Sequence, residues 1–238
     1  MQHIIVIPAR GGSKGIAHKN LVLLNGHPLI YYTLQSIKHL KNDWRVCVSS
    51  EDSAILKYVE ASGFEVYFKR HPSLSQDSSS TLSVVQDAVR RSENIFGENY
   101  ELVMTLQPTS PLRNNLHIDG AIELINQNEQ CNSLVSVMKV PHQYGYESLM
   151  EFKSSRYISP VVSPNDLTLD RHSKKSYLAR NGAAIYITRR NILNLGLFYP
   201  DCIPYFMNKI DSVDIDDLED LFIAESILTR KRLFNKEK

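Results

Sequence analysis

Cysteines are scarce in this sequence, long apolar runs are missing, and neither sign of charge is in excess. The three cysteines of the 238-residue chain, Cys47, Cys131 and Cys202, stand far apart and form no CxxC pair, so we expect neither a disulfide framework nor a zinc site. No apolar run reaches the ~18 residues of a membrane span, and the N-terminus lacks the basic and apolar regions of a signal peptide. These absences predict a protein of the reducing cytoplasm without a membrane partner.

The charged residues balance almost completely. The 27 Lys and Arg residues and the 26 Asp and Glu residues leave a formal net charge of +1, whereas a nucleic-acid-binding surface requires a basic stripe and aromatic residues on which bases stack. We therefore expect no nucleic-acid partner, and any anion has to be bound by a local cluster of cations. The length suits a single domain over residues 1–238 with one substantial core.

Strand-like and helix-like patterns alternate along most of the chain. Strands are predicted in HIIVIP, WRVCVSS, FEVYFK, YELVMTLQ and SLVSVMKV, and an amphipathic helix follows each of the first four. The segments NGAAIYIT and SVDIDD are predicted as two later strands, and DLEDLFIAESILTRKRLF as the last helix. This order is typical of an α/β fold, a three-layer α/β/α sandwich with a mostly parallel sheet. In such sheets a ligand binds beyond the carboxyl ends of the strands.

The alternation lapses between about residues 140 and 180. This stretch is rich in Tyr, Ser and Pro and carries the cationic run RHSKK. It is either a disordered loop or an excursion that packs on another subunit, and its aromatic residues favour the second interpretation. We therefore expect an irregular subdomain here that serves dimerisation or substrate binding.

A glycine-rich segment, IPARGGSKG, follows the first predicted strand directly. Glycines let backbone N–H groups approach an anion closely, and Arg10, Lys14 and Lys19 supply charge-assisted contacts. The segment matches neither the GxxxxGK(S/T) nor the GxGxxG pattern. Its glycines alone fit a flexible connector as well as a phosphate loop, and three cations within ten positions favour the phosphate loop.

Two carboxylates stand two residues apart just before the last predicted helix, at Asp214 and Asp216. On a strand, residues i and i+2 face the same side, so both can point at one Mg²⁺, which prefers one or two carboxylates together with phosphate oxygens and water. The alternative is that Asp216 or Asp217 caps the final helix. Both interpretations hold if Asp217 is the cap.

Two further segments place polar residues near the expected ligand edge of the sheet. DSSSTLS begins a helix, where Ser80 or Thr81 is either an N-cap or part of an anion site at the helix N-terminus. LQPTSPLR follows a strand, so Gln107 lies at its carboxyl end, where an amide can bind sugar hydroxyls or an acyl group. We expect Arg113 to form a structural ion pair.

These motifs together carry a resemblance to a known family. The segments IPARGGSKGIAHKN, LSQDSSSTLSVVQDA, LQPTSPLR and NGAAIYI with DSVDIDDLEDLFIAE, in this order, resemble the acylneuraminate cytidylyltransferases, also called CMP-sialic acid synthetases, from about residue 3 to residue 228. The resemblance implies an enzyme of the nucleotide-diphospho-sugar transferase fold that joins CTP to a nine-carbon 2-keto sugar acid. The anomeric hydroxyl attacks the α-phosphorus and pyrophosphate leaves.

The resemblance also implies a role for particular residues. Arg10, Lys19 and Asp216 would be catalytic, Asp214 and Asp216 would hold Mg²⁺, and a homodimer would form through the irregular region. The implied nucleotide-binding residues are Ala9, Arg10, Gly11, Gly12, Ser13, Lys14, Asn20, Ser80 and Thr81. The implied sugar-acid residues are Gln107, Arg171, Arg180 and Asn181.

The segments that carry the resemblance do not by themselves identify the acceptor or the general base. NGAAIYI has one more Ala than the NGAIYI common in sialate enzymes, and PHQYGYESLM lacks their basic residue, which is more like the members that activate legionaminic acid. The Kdo-activating synthetases, or another sugar nucleotidyltransferase, are the alternative, against which the Lys19-Asn20 pair and LQPTSPLR speak. A non-catalytic nucleotide-binding regulator is disfavoured because Lys19, Asp214 and Asp216 are all present. No His lies in a specific motif, and a metal-polarised sugar hydroxyl needs no His base.

Overall fold

The structure, a computed structural model, describes residues 2–13, 15–163, 175–199 and 202–236. Five α-helices are described, with short 3₁₀ turns between elements: α1 Leu29–Ile37, α2 Ser53–Ala61, α3 Thr81–Phe96, α4 Asn115–Asn126 and α5 Leu218–Lys236. The described strands are β1 His3–Pro8, β2 Leu23–Leu24, β3 His27–Pro28, β4 Arg45–Ser49, β5 Leu102–Thr105, β6 Ser133–Lys139, β7 Met150–Phe152, β8 Ile158–Pro160, β9 Leu178–Arg180, β10 Tyr186–Arg189 and β11 Ile203–Phe206.

The central sheet has the strand order β11-β6-β10-β5-β1-β4. In addition, β9 pairs with the carboxyl-terminal residues of β6. Strands β1, β4, β5, β6 and β11 run one way, whereas β10 and β9 run against their neighbours. Among the described strands of this sheet, the parallel direction thus predominates. The mostly parallel sheet expected from the alternating pattern is confirmed.

Helices cover both faces of the sheet. On one face, Ile5 and Ile7 of β1 pack in a core with apolar residues of α1, α2 and α4. On the other face, Ile4 and Val6 of the same strand pack against α3, for example against Val85. All four β1 residues are fully buried, which is why HIIVIP is a continuous apolar run and not an alternating one. The three-layer α/β/α arrangement is confirmed.

Two predicted strands are wrong. FEVYFK forms no strand, although its apolar side chains pack: Phe64 lies in the core beside α2, and Tyr67 packs edge-on against Phe96. SVDIDD is an irregular turn, tied to the rest of the chain by a hydrogen bond from Ile215 N–H to the Thr109 carbonyl (2.8 Å). A short apolar run indicates that its side chains are buried, and side chains can be buried in a segment that pairs with no strand.

The region from 140 to 180 contains a small antiparallel hairpin of β7 and β8. The strand expected in NGAAIYIT is confirmed but begins at Tyr186 and runs antiparallel to both neighbours, β5 and β6.

Across the described part of the chain, every helix is too short or too polar to cross a membrane. The loops after β1, β4 and β5 leave the same edge of the sheet, since these strands are parallel.

Candidate active site

A cleft of about 280 Å³ opens at the carboxyl ends of β1 and β5. Four segments wall it: the glycine-rich loop, residues 70–84, the loop after β5, and the turn before α5. The residues expected from the sequence that line it are Arg10, Gly12, Ser13, Lys19, Asn20, Thr81, Gln107, Asp214 and Asp216. The edge of the sheet at which a ligand is expected is therefore the edge that carries these side chains.

Two other residues expected at the nucleotide site, Ala9 and Ser80, do not line the cleft. Ala9 is fully buried, and its N–H binds the Ser49 carbonyl (2.9 Å). Ser80 is the N-cap of α3, where its Oγ accepts the Ser83 N–H (3.1 Å), so the capping interpretation applies to Ser80 while Thr81 faces the cleft. Lys14 and Arg171 lie outside the described residues.

The glycine-rich loop is held tightly by its neighbours. A Cβ on Gly11 would come within 2.6 Å of Asp52 Oδ2, and one on Gly15 would collide with the Asp216 carbonyl oxygen. The Gly11 N–H donates to Glu51 (2.7 Å), and the buried Asn20 side chain donates to the Arg10 carbonyl (2.8 Å). These glycines therefore serve close backbone packing, in addition to any approach to an anion.

Both described cations of the loop are paired with carboxylates. Arg10 Nη1 lies 2.7 Å from Asp77 Oδ1. Lys19, with 12% of its side chain exposed, donates to the Ile215 carbonyl (2.9 Å) and lies 3.3 Å from Asp216. Lys19 thus joins the loop after β1 to the acidic turn before α5, so the two halves of the expected site face each other.

The three aspartates of the acidic turn, Asp214, Asp216 and Asp217, have different roles. Asp217 Oδ1 accepts the N–H groups of Glu219 (2.9 Å) and Asp220 (3.0 Å) and so caps α5. Asp214 and Asp216 point into the cleft although no strand aligns them. Burial raises the pKa of the Asp214 carboxyl above its usual value, and the neighbouring charge of Asp216 raises it further. A divalent cation between them would relieve this cost, so the donor set fits Mg²⁺.

No group of three or more His, Cys, Asp or Glu side chains within the described ranges is arranged to hold a metal ion by itself. A metal at Asp214 and Asp216 would need its remaining ligands from substrate and water. Mg²⁺ commonly has such a coordination sphere at phosphate-transfer sites.

The expected sugar-acid residues divide into two groups. Gln107 lines the cleft. Arg180 does not line the cleft; it is exposed, with Nη1 3.3 Å from the Tyr186 hydroxyl and its guanidinium 4.8 Å from the centre of the Phe198 ring. The amide of Asn181, in contrast, is 3% exposed. The structure therefore places Asn181 behind the site and not at its surface.

The Asn181 amide is occupied by buried partners. It donates to Ser212 Oγ (3.0 Å) and Met207 Sδ (3.2 Å) and accepts from Ser136 Oγ (2.7 Å). Because Ser212 belongs to the turn that carries Asp214, the amide supports the acidic turn from below.

Arg113 is buried, as a structural residue would be, but within the described part of the chain its hydrogen bonds go to neutral groups and not to a carboxylate. Its guanidinium donates to the carbonyls of Gln107 (3.2 Å) and Ala184 (2.7 Å) and to Thr33 Oγ1 (2.6 Å). Burial lowers the pKa of Arg113 to about 9, against the opposing charge of Asp214. Arg113 thus fixes the loop after β5 to the start of β10.

Sequence reasoning missed Glu51 and Arg70. Arg70 lines the cleft and is 3% exposed, and it pairs with Glu51 at 2.6 Å. Neither residue lies in a glycine-rich or acidic motif, and Arg70 directly follows the strand-like run FEVYFK. No local signal in the sequence distinguishes them from surface charges.

Comparisons with known proteins agree with this geometry. A family model described as Cytidylyltransferase matches residues 4–235. The chain is 29% identical over 236 residues to the CMP-N,N'-diacetyllegionaminic acid synthase of Campylobacter jejuni, with 98% of each chain covered. It is also 29% identical over 236 residues to the N-acylneuraminate cytidylyltransferase of Escherichia coli, where 96% of this chain and 52% of that protein are covered. The chain thus spans about half the length of that second relative.

A solved structure shares the fold. The CMP:2-keto-3-deoxy-manno-octonic acid synthetase complexed with CTP superposes with a TM-score of 0.71 at 16% identity, covering 97% of this chain and 100% of that one. At this identity the likeness concerns the arrangement of the elements alone.

Proposed function

The chain belongs to the cytidylyltransferase family, and from that premise we propose that it transfers CMP from CTP to the anomeric hydroxyl of a nine-carbon 2-keto sugar acid, releasing pyrophosphate. The observation that carries the proposal is the cleft in which Arg10 and Lys19 face Asp214 and Asp216 at the carboxyl ends of β1 and β5. Phosphoryl-type transfer depends mainly on positioning and on neutralisation of negative charge. This cleft supplies both kinds of group.

The triphosphate would lie along the glycine-rich loop. Arg10 and Lys19 would exchange their present carboxylate partners, Asp77 and Asp216, for phosphate oxygens, and the backbone at Gly12 and Ser13 lines the same surface. Charge-assisted contacts of this kind stabilise the pyrophosphate leaving group as its charge develops. Thr81, at the first turn of α3, adds a hydroxyl near a helix N-terminus, which favours an anion.

Mg²⁺ would be held by Asp214 and Asp216. When bound, it supplies charge neutralisation at the phosphates and polarises the attacking hydroxyl. The chain itself fixes the two carboxylates in place, because Gly182 lies against Asp214 and the Ile215 N–H binds the Thr109 carbonyl.

The sugar acid would lie beside the acidic turn, between Gln107 and Arg180. Its carboxylate calls for a guanidinium, and Arg180 is oriented by Tyr186 and Phe198, so that little side-chain freedom is lost on binding. Asn181 holds the adjacent turn in place without touching the acid. We carry both N-acetylneuraminate and legionaminate types forward, because relatives named for each match equally well in identity.

A homodimer in the cytoplasm completes the proposal. The hairpin region exposes a set of large apolar side chains: Tyr144, Tyr146, Met150, Phe152, Tyr157 and Ile158. Large exposed apolar side chains gathered in one region of a fold are typical of an interaction site. We assign it to a second copy of the chain.

The second candidate is transfer to Kdo, favoured by the fold shared with the synthetase that binds CTP. The test is pyrophosphate release with CTP and Mg²⁺ over a panel of N-acetylneuraminate, deaminated neuraminate, diacetyllegionaminate, Kdo and a hexose 1-phosphate. We expect turnover with a nine-carbon acid. Turnover with Kdo or the hexose phosphate alone would reject the proposal.

A further inference from the structure

Glu51 stands at the carboxyl end of β4 and joins three segments of the chain. Its Oε1 accepts the Gly11 N–H at 2.7 Å. Its Oε2 accepts from Arg70 Nη2 at 2.6 Å and from Ser75 Oγ at 2.8 Å. The glycine-rich loop, the edge strand β4 and the segment that walls the cleft on the far side therefore meet at one carboxylate.

The peptide unit between Arg10 and Gly11 is fixed from both ends. Its carbonyl oxygen accepts from Asn20 Nδ2 (2.8 Å), and its N–H donates to Glu51. A peptide plane is rigid, so these two bonds set the orientation of the whole unit. The direction in which the Arg10 side chain and the following Gly12 backbone enter the cleft depends on that orientation.

Glu51 also fixes a second cation of the cleft wall. Arg70 is 3% exposed and lines the cleft, and within the described residues its Nε has no hydrogen-bond partner. A guanidinium presents five N–H donors in a rigid plane, so anchoring one edge to Glu51 determines where the others point. The backbone of Arg70 is held separately, because its backbone N–H donates to the Ser50 carbonyl (2.8 Å).

A carboxylate beside a triphosphate site repels the phosphates, so its presence there calls for another function. Burial opposes the charge of Glu51, but the hydrogen bonds from Arg70, Gly11 and Ser75 outweigh it and hold the pKa of the carboxyl below its usual value. Glu51 is therefore an anion at neutral pH, and its charge is matched by Arg70. It contributes no attraction for phosphate and acts through the groups that it holds.

We propose that Glu51 is a positioning residue of the nucleotide site, which orders the Arg10–Gly11 peptide and the Arg70 guanidinium into the arrangement that CTP binds. This assignment rests on the proposed use of CTP. Without Glu51, CTP has to order the loop and Arg70 as it binds, and the conformational entropy lost then weakens binding.

The strand β4 offers a matched control. At its amino end, Arg45 pairs with Glu98 at 2.7 Å. The two carboxylates match in exposure, 21% for Glu98 and 20% for Glu51, whereas Arg45 is more exposed than Arg70, 15% against 3%. The Glu98→Gln variant removes a charge from an Arg–Glu ion pair at the opposite end of β4, and neither of its residues lines the cleft. It reports how much of any effect comes from stability alone.

The experiment measures CTP affinity by calorimetry with Mg²⁺ and without acceptor, and thermal unfolding, for wild type, Glu51→Gln, Glu51→Ala and Glu98→Gln. We expect Glu51→Gln to weaken CTP binding about tenfold, the order of the cost of ordering one or two side chains on binding, and to raise the KM for CTP accordingly, with an unchanged KM for the sugar acid. Glu98→Gln should lower the unfolding temperature and leave CTP affinity as in wild type.

Two outcomes would overturn the assignment. One is wild-type CTP affinity in folded Glu51→Gln, and the other is an equal loss of affinity in Glu98→Gln. If Glu51→Ala does not fold, the nearly isosteric Gln variant still decides. A wild-type protein that binds CTP but turns over no nine-carbon acid would reject the proposed acceptor and leave the role of Glu51 intact, whereas one that binds no CTP would reject both.

Discussion

Gly182 lies directly against the carboxylate of Asp214: a Cβ at position 182 would stand 2.5 Å from Asp214 Cγ. The residue also has a φ of +66°, which L side chains adopt at a cost. The glycine of the NGAAIYI segment is thus required twice, once by the backbone and once by the acidic side chain that it touches.

The Gly182→Ala variant should lose at least about 100-fold in kcat, because its methyl group displaces Asp214 from the place where a metal would be held. Gly97→Ala is the control, since Gly97 has a similar φ of +62° at the end of α3 but open space around it. Both variants should lose about 1 kcal/mol of stability from the backbone strain. Equal activities of the two variants would show that contact with Asp214 is unimportant.

Asp216 and Asp217 are adjacent carboxylates with separable roles. Asp216→Ala should lower kcat by about 100-fold or more with little change in unfolding temperature, because its side chain faces the cleft and is 82% exposed. Asp217→Ala should instead lose about 1 kcal/mol of stability, the usual cost of an N-cap, and keep most of its activity. The measurement is steady-state kinetics beside thermal unfolding. Retained turnover in Asp216→Ala would remove it from the proposed metal site.

His117 should make stability depend on pH near neutrality. Its Nδ1 accepts the Asn114 N–H in a capping box at the start of α4, and burial lowers its pKa below the usual 6.5, although Asp211 opposes this while Lys231 and Arg113 add to it. A lowered pKa means that the unfolded chain binds the proton more readily. The contribution is therefore present above about pH 6.5 and is lost as the pH falls toward the lower folded pKa.

Thermal melts between pH 7.5 and 5 test this dependence. His117→Asn should be less stable than wild type at pH 7.5, and the difference should shrink on acidification. A constant difference across this range would show that titration of His117 does not contribute.

The exposed hairpin predicts the oligomeric state. Phe152 is 81% exposed on β7, and Phe152→Glu places a charge in the proposed dimer surface, where it would be desolvated. Sedimentation at micromolar concentration should give a dimer for wild type and a monomer for this variant. Phe222→Glu, at a Phe that is 70% exposed on α5, is the matched control and should remain a dimer. A monomeric wild type would reject the surface as a self-association site.

Local patterns in the sequence predict much of the fold. The run HIIVIP predicts β1, since its four central residues are buried on both faces, and the acidic run before α5 contains its own cap, because Asp217 binds N–H groups only two and three residues away. The glycine-rich loop and the Asp214–Asp216 pair are also evident from the sequence, because glycines among cations and closely spaced carboxylates are recognised by residue type and spacing alone.

Long-range packing decided what local patterns did not. FEVYFK has the composition of a strand but packs without a ladder, and Asn181 has a polar side chain that the fold turns inward to Ser136 and Ser212. Both outcomes depend on partners far away in sequence, and a local pattern does not contain them.

The sequence by itself determined the α/β class, the loop of small and cationic residues after β1, and the presence of the Asp214–Asp216 carboxylate pair, since these follow from apolar periodicity and side-chain chemistry. The tertiary structure alone decided which groups meet: Glu51 reaches Gly11 across 40 positions, and Lys19 reaches Ile215 across 196. The physical reason is that a hydrogen bond depends on atoms lying within about 3 Å of each other, and only the folded chain brings such distant residues to that distance.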